Sequence, residues 1–294
     1  MANAAALIGI GAMGKALLKR LRAAGLTVHA HDISLTALEA AATSGAIPMC
    51  SAAAAAKDVA YVHVVVASED QTIEAVLGPD GVLAGASPGT PVLLHSTIPP
   101  SATIYIAEAA AKRGIEVLDA PITGVPRQLE AGESAFMLGG SQAAVERVRD
   151  YLLQLGDRVQ HYGPLGSGNV AKLARAMLNA GERVLLAEVL AIVQAAGIDP
   201  KEFLMNEAAE TRPSTLCHWE KRFTIENRKA RPRPATNLLT RMCFWPQSSR
   251  RGRAWIFRLA RGPPAPRSNG CRHGRKTRRH SHSAAITLWQ CQFI

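Results

Sequence analysis

Between residues 4 and 162, short runs of β-branched and apolar residues alternate with longer Ala-rich stretches whose apolar positions recur at helical spacing. The short runs predict strands at 5–9, 27–31, 61–66, 91–95, 116–119, 135–138 and 158–162. Segments such as 13–24 and 101–113 suit amphipathic helices between them. Regular strand–helix alternation predicts an α/β fold built on a doubly wound parallel sheet. Chain-breaking residues then cluster at 163–168, and residues 169–196 run without Pro, with apolar positions at 170, 173, 177, 184 and 185. That stretch predicts one helix of roughly 40 Å at about 1.5 Å per residue, ended by Gly197 and Asp199-Pro200. A helix of such length after a sheet domain leads into an all-helical second domain. The expected domains are therefore 1–162 and 163–240, followed by a tail at 241–294.

Charge sharpens this division. Glu226 is the last acidic residue, and residues 227–294 hold 16 of the 34 Lys and Arg. Residues 1–226 thus carry 18 bases against all 23 acids, a net charge of −5, although the whole chain is +11. Residues 241–282 contain 11 Arg and one Lys, no acid, and apolar residues with neither helical nor strand period. This stretch has no pattern for a packed fold. Its bases lack regular aromatic interleaving, so nucleic acid is not an expected partner. At 48% hydrophobic, the chain as a whole is far from disorder. Five cysteines without a C-x-x-C pair give neither a disulfide framework nor a metal site. Cys50 reads as buried rather than reactive, and His161 as a strand-end residue rather than a base. No apolar run approaches a membrane span and the start lacks a charged leader, which predicts a cytoplasmic protein.

Three motifs carry candidate chemistry. Gly9-Ile10-Gly11-Ala12-Met13-Gly14 lies directly after a strand and opens a helix. Its glycines suit a tight turn, close approach of a pyrophosphate, and helix–strand packing, with the helix N-terminus stabilising phosphate charge. Asp32, at the end of the second strand, is placed to accept hydrogen bonds from the adenosine ribose and to repel a 2′-phosphate, which favours NAD over NADP. A bare glycine turn is the competing reading. Asp119-Ala120-Pro121-Ile122-Thr123-Gly124 follows a strand, where backbone N–H groups and a hydroxyl can hold a substrate carboxylate, or simply form a turn. Gly166-Ser167-Gly168 precedes Lys172, about one turn into the long helix. There the helix field and partial burial lower the lysine pKa and suit it to general acid–base work; a solvated surface lysine is the bland alternative. Ser96-Thr97-Ile98-Pro99, after the fourth strand, offers further hydroxyls or a helix N-cap.

In order and spacing these residues resemble the β-hydroxyacid dehydrogenase family, over roughly residues 4–240. The resemblance implies a Rossmann domain, a long interdomain helix, a helical domain used in homo-oligomerisation, and reversible hydride transfer between NAD(P) and a small-molecule 3-hydroxy acid of the 3-hydroxyisobutyrate type. It places Lys172 as the acid–base residue and assigns the cofactor to Gly9, Ile10, Gly11, Ala12, Met13, Gly14, Asp32, Val66 and Thr97. Substrate falls to Ser96, Thr123, Gly124, Val125 and Asn179.

The chain departs from the family pattern at several points. Arg175 and Ala176 occupy the positions where the family has an Asn on the lysine's face, and the nearest amide, Asn179, lies about 10 Å along the helix from Lys172. Thr123 replaces a usual Ser and Val125 a common Gly. Where the family begins a late helix with Lys-Asp, this chain has Asn237-Leu238-Leu239-Thr240 running into Arg241-Met242. Family-like sequence returns at Ala284-Ala285-Ile286, as expected of a reading-frame shift near 241 restored near 282. Two other readings are a catalytically impaired nucleotide-binding remnant and an NADPH-dependent semialdehyde or imine reductase.

Overall fold

The computed structural model of the chain describes residues 4–209. Strands β1 (Ala4–Ile8), β2 (Thr27–His31), β3 (Ile47–Pro48), β4 (Tyr61–Val64), β5 (Pro91–Leu94), β6 (Glu116–Asp119), β7 (Ala135–Leu138) and β8 (Arg158–His161) alternate with helices. The helices are α1 (Ala12–Ala23), α2 (Leu35–Thr43), α3 (Ala52–Ala56), α4 (Glu69–Leu77), α5 (Val82–Gly85), α6 (Pro100–Ala111), α7 (Pro126–Ala131), α8 (Gln142–Leu153), α9 (Ser167–Ala195) and α10 (Pro200–Ala209). The first six strands form one parallel sheet in the order β3-β2-β1-β4-β5-β6, the doubly wound arrangement expected from the pattern. Strands β7 and β8 make a separate parallel pair. Antiparallel bridges at Asp119–Gly139 and Ile122–Phe136 fasten that pair to the segment leaving β6.

The chain divides into two compact units, residues 1–191 and 192–294. Among the described residues, the second holds the end of α9 and α10, joined at Gly197 with φ +80°. The predicted long helix is α9, and the two compact units divide within it, at 191–192, not at the glycine-rich turn that precedes it. The rest of the expected helical domain at 210–240, the tail at 241–294 and the frame-shift reading lie outside the described residues. Among the described residues, no helix is long and apolar enough to cross a membrane.

Two readings from the pattern need correction. Strand β3 was not predicted, because it is two residues long, exposed, and half of it is Pro. Cys50, expected to be buried, is exposed: it follows this edge strand in the turn before α3. His161 is a strand-end residue as expected, its Nε2 shared between the Gly140 and Gly163 carbonyls.

Period-two alternation in the strands builds the core on both faces of the sheet. Ala5 and Leu7 of β1 join Leu17, Leu21, Leu118, Phe136 and Val148 on one face. Ala6 and Ile8 join Val62, Val64, Val92, Leu94 and Ile106 on the other. Serines set the helix starts: the side chains of Ser34, Ser51, Ser68 and Ser141 each accept an N–H from the first turn of α2, α3, α4 and α8. Each such cap contributes about 1 kcal/mol.

Polar residues also enter this core. His63 on β4 and His95 just after β5 are 0% and 6% exposed, and Tyr151 on α8 is 6% exposed. His63 Nδ1 lies 2.8 Å from His95 Nε2, His63 Nε2 lies 2.6 Å from the Tyr151 hydroxyl, and His95 Nδ1 lies 2.7 Å from the Ala120 carbonyl. The Tyr151 ring stacks on Tyr61 with centroids 3.6 Å apart.

Burial pulls His95 down to about 4, against the raising effect of its bond to Ala120; burial and then its neighbour His95 hold His63 well below the ordinary range. In the unfolded chain both titrate near about 6.5. As pH falls from there toward 4, the unfolded chain binds protons that the folded chain refuses, so stability falls. Urea unfolding across this window should lose up to about 1.4 kcal/mol per pH unit for each histidine. A His95→Leu chain should show a shallower slope, and an equally steep slope in that variant would contradict the assignment.

Candidate active site

One half of the site is built by the turn from β1 into α1. Gly9 has φ +95°, and a Cβ there would meet the Val65 carbonyl oxygen at 2.3 Å. A Cβ on Gly14 would meet the Gly9 carbonyl oxygen at 2.1 Å, so α1 packs directly on the turn. Gly11 differs: its backbone is extended and a Cβ would meet nothing within 4 Å. The open side of the turn therefore lies at Gly11, over a helix start whose first N–H groups lack partners within the helix. Ile10 is buried, Met13 packs against the core, and Ala12 is exposed.

Asp32 closes the turn from the β2 side. Its Oδ2 accepts the Ile10 N–H at 2.6 Å and its Oδ1 accepts the Ser34 N–H at 2.8 Å. A carboxylate has about four acceptor directions, so two remain for hydroxyl groups of a ligand. An open glycine at a helix N-terminus beside a carboxylate fits the pyrophosphate and ribose of a dinucleotide.

The second half centres on Asp119, at the end of β6 and wholly buried. Its Oδ1 accepts the Gly166 N–H at 2.7 Å and its Oδ2 the Asn169 N–H at 2.8 Å. The carboxylate thus sits at the N-terminus of α9, where the helix dipole favours negative charge. Burial pushes its pKa up, opposed by bonds from the backbone of Gly166, Asn169, Gly168 and its own N–H. Two glycines make the room: a Cβ on Gly139 would lie 2.2 Å from Asp119 Oδ1, and one on Gly168 would lie 2.2 Å from the Met137 carbonyl oxygen. Asn169, also fully buried, accepts the Ile98 N–H at 3.2 Å and donates to Thr103 Oγ1 at 3.2 Å, tying α9 to the loop after β5 and to α6.

From this fixed start, α9 carries Lys172 to the β6–α7 loop. Its Nζ donates to the Ile122 carbonyl at 2.7 Å, one residue before Thr123. Burial lowers the Lys172 pKa, and the Arg175 guanidinium lowers it further. Thr123 is buried, its Oγ1 accepting the Ala135 N–H at 3.1 Å. Gly124 is exposed with φ +99°, and the Val125 N–H donates to Gln128 Oε1 at 3.0 Å.

The Ser96 hydroxyl donates to the Val66 carbonyl at 2.8 Å and accepts the Val66 N–H at 3.1 Å. It thereby joins the loops after β4 and β5. Helix α6 begins at Pro100 with no side-chain cap, so neither Ser96 nor the exposed Thr97 caps it. Lys172, Ile122 and Thr123 thus come together, and Ser96 meets Val66. Asn179 stands apart, exposed two turns along α9. Arg175 and Ala176 are exposed as well. The anchoring by Asp119 and Asn169 and the His63–His95–Tyr151 chain are absent from the motif reading; the signal was polar residues inside apolar strands and at a helix start, which must find partners.

Residues 4–163 match the NAD binding domain of 6-phosphogluconate dehydrogenase. The chain is 33% identical over 197 residues to 2-(hydroxymethyl)glutarate dehydrogenase of Eubacterium barkeri, covering 66% of this chain and 64% of that protein. It is 36% identical over 200 residues to NAD-dependent L-serine dehydrogenase of Pseudomonas aeruginosa, covering 67% of this chain and 66% of that protein. Among solved structures, a 3-hydroxyisobutyrate dehydrogenase of Mycobacterium tuberculosis with L-serine is similar at a TM-score of 0.66 and 27% identity, covering 74% of this chain and 75% of that one. In the first two matches the chain spans 64% and 66% of its relative's length.

The glycines separate packing from ligand approach. Gly14→Ala should lower stability by about 1–3 kcal/mol through overpacking. Gly11→Ala, with open space and ordinary backbone angles, should stay within about 0.5 kcal/mol of the parent chain. Denaturant midpoints decide it: equal losses at both positions would show that Gly11 too is held by packing.

Proposed function

The chain belongs to the β-hydroxyacid dehydrogenase family, and from that premise we propose that it transfers hydride reversibly between NAD and a small 3-hydroxy acid of the 3-hydroxyisobutyrate type. The observation that carries this reading is the half-buried Lys172 amine held 2.7 Å from the Ile122 carbonyl, beside the turn at Thr123 and Gly124. A bound nicotinamide supplies hydride acceptance and donation; the remaining work falls to the chain's own residues.

In the oxidation direction the neutral Lys172 amine takes the proton of the substrate hydroxyl, and in the reduction direction the ammonium returns it. Burial and the Arg175 cation both favour the neutral amine. The Ile122 carbonyl orients the amine without neutralising it. Thr123, with the backbone of Gly124 and Val125, anchors the substrate carboxylate. Ser96 acts by fixing Val66 against the loop that carries Thr97, so that these two residues given to the cofactor are held together. Asn179, exposed about 10 Å along α9 from Lys172, lies too far to hold a small substrate at the reacting carbon.

Asp32 favours NAD over NADP, since a 2′-phosphate would meet its carboxylate. Exposed apolar residues on α9, among them Leu173, Met177, Val184 and Leu185, support a homo-oligomer.

Lys172→Ala should lower turnover about 10²–10⁴-fold, the usual worth of a positioned acid–base group, while NAD affinity stays nearly constant. The oxidation rate should rise with pH along a limb below the ordinary lysine range. Arg175→Ala removes a lowering cation, so its limb should move to higher pH. Steady-state kinetics across pH with a fluorescence titration of NAD reads all three; undiminished turnover in Lys172→Ala would overturn the role.

A further inference from the structure

The buried His63–His95–Tyr151 chain has one consistent proton arrangement. The Ala120 carbonyl only accepts, so His95 Nδ1 carries the hydrogen of that 2.7 Å bond. His95 Nε2 is then an acceptor, and the 2.8 Å contact requires a hydrogen on His63 Nδ1. His63 Nε2 accepts in turn, from the Tyr151 hydroxyl at 2.6 Å. Both rings are neutral in this arrangement, in keeping with the downward shifts that burial imposes on them. Tyr151 is held at the far end by its stack on Tyr61, and His95 lies against the Phe136 ring at 5.7 Å.

The near end of this chain holds the substrate-side loop. Ala120 is fixed twice, its N–H donating to the Leu94 carbonyl at 2.8 Å and its carbonyl accepting from His95. The residue before it is Asp119, which receives the N-terminus of α9. Two residues after it is Ile122, whose carbonyl receives Lys172. Pro121, between them, has no N–H with which to pin itself, and its carbonyl accepts the Met137 N–H at 3.0 Å.

We propose that His95 is a positioning residue for Lys172: by gripping the Ala120 carbonyl, with His63 and Tyr151 behind it, it fixes the backbone from Asp119 to Ile122 on which the lysine amine is hung. The inference rests on the role given to Lys172 above. Replacing His95 by Leu fills the space but leaves the Ala120 carbonyl and the His63 Nδ1–H buried without partners, so the loop must move to satisfy them. A glutamine carries a donor and an acceptor on one amide and can renew both bonds.

The test uses the full chain with isotope-labelled histidine and lysine. In the parent chain, nitrogen NMR should show His95 protonated at Nδ1 and His63 likewise, and the opposite tautomers would overturn the proposal. In His95→Leu, the Lys172 side chain should titrate closer to the ordinary lysine value as its pocket opens to water. Turnover there should fall by about 10–100-fold, the scale of a misplacement near 1 Å, with NAD affinity changed less than about twofold and KM little altered. His95→Gln should recover the lowered Lys172 titration and most of the turnover. A folded His95→Leu chain with parental Lys172 titration, or a folded His95→Gln chain as impaired as Leu, would overturn it. Lys172→Ala with full turnover would sink the role of the lysine instead, whereas the histidine tautomers and the Lys172 titration, read in the parent and His95 variants, decide the positioning by themselves.

Discussion

A buried carboxylate at the start of a long helix sets the geometry of the half of the site that holds Lys172. Asp119 is taken out of water entirely, which costs several kcal/mol unless hydrogen bonds replace the lost solvation. The replacement comes from the Gly166 and Asn169 N–H groups, at 2.7 and 2.8 Å, together with the positive end of the α9 dipole. Neither partner tolerates the loss of the other: the helix start needs an acceptor and the carboxylate needs donors. Gly139 and Gly168 exist in this scheme as clearance, because a Cβ on either would collide with the carboxylate or the backbone around it. Lys172, about one turn further along α9, inherits its position from this junction.

The cofactor half obeys a different constraint. Gly9 and Gly14 are fixed by backbone-to-backbone packing, while Gly11 faces open space. Asp32 organises the turn by taking the Ile10 N–H, and the same carboxylate has acceptor capacity left for a ligand. The two halves meet where the Ser96 hydroxyl bridges to Val66, so that the loops after β4 and β5 move as one piece. Rigid loops at the carboxyl ends of parallel strands are where a doubly wound sheet binds its ligands.

Sequence pattern revealed the parallel sheet because apolar strands alternating with helices leave few other ways to bury both faces. It did not reveal which strands pair, so the separate β7–β8 sheet was invisible, as was β3, too short and too exposed to show a period. The glycine fingerprint was legible because its residue type is dictated locally, by φ and by close approach. The partners of Asp119 lie 47 and 50 residues away, and Tyr151 lies 88 residues from His63. No local window contains such pairs, and a histidine within an apolar strand announces only that some partner exists. Lys172 was legible as a candidate from its place after a glycine-rich turn, whereas its acceptor, a backbone carbonyl, has no signature in the residue type. Cys50 was misread because burial of cysteine is a tendency, and the edge strand that exposes it was itself unseen.

Hydrogen exchange in Asp119→Asn tests the junction most directly. The asparagine keeps the shape but turns one acceptor into an N–H donor, which must face a helix N–H. Amide exchange at Gly166 and Asn169 should accelerate by at least about tenfold, a loss of roughly 1.4 kcal/mol at the helix start, while amides in β1 and β4 keep their protection. Unchanged protection at Gly166 and Asn169 in that variant would contradict the claim that the carboxylate sets the start of α9.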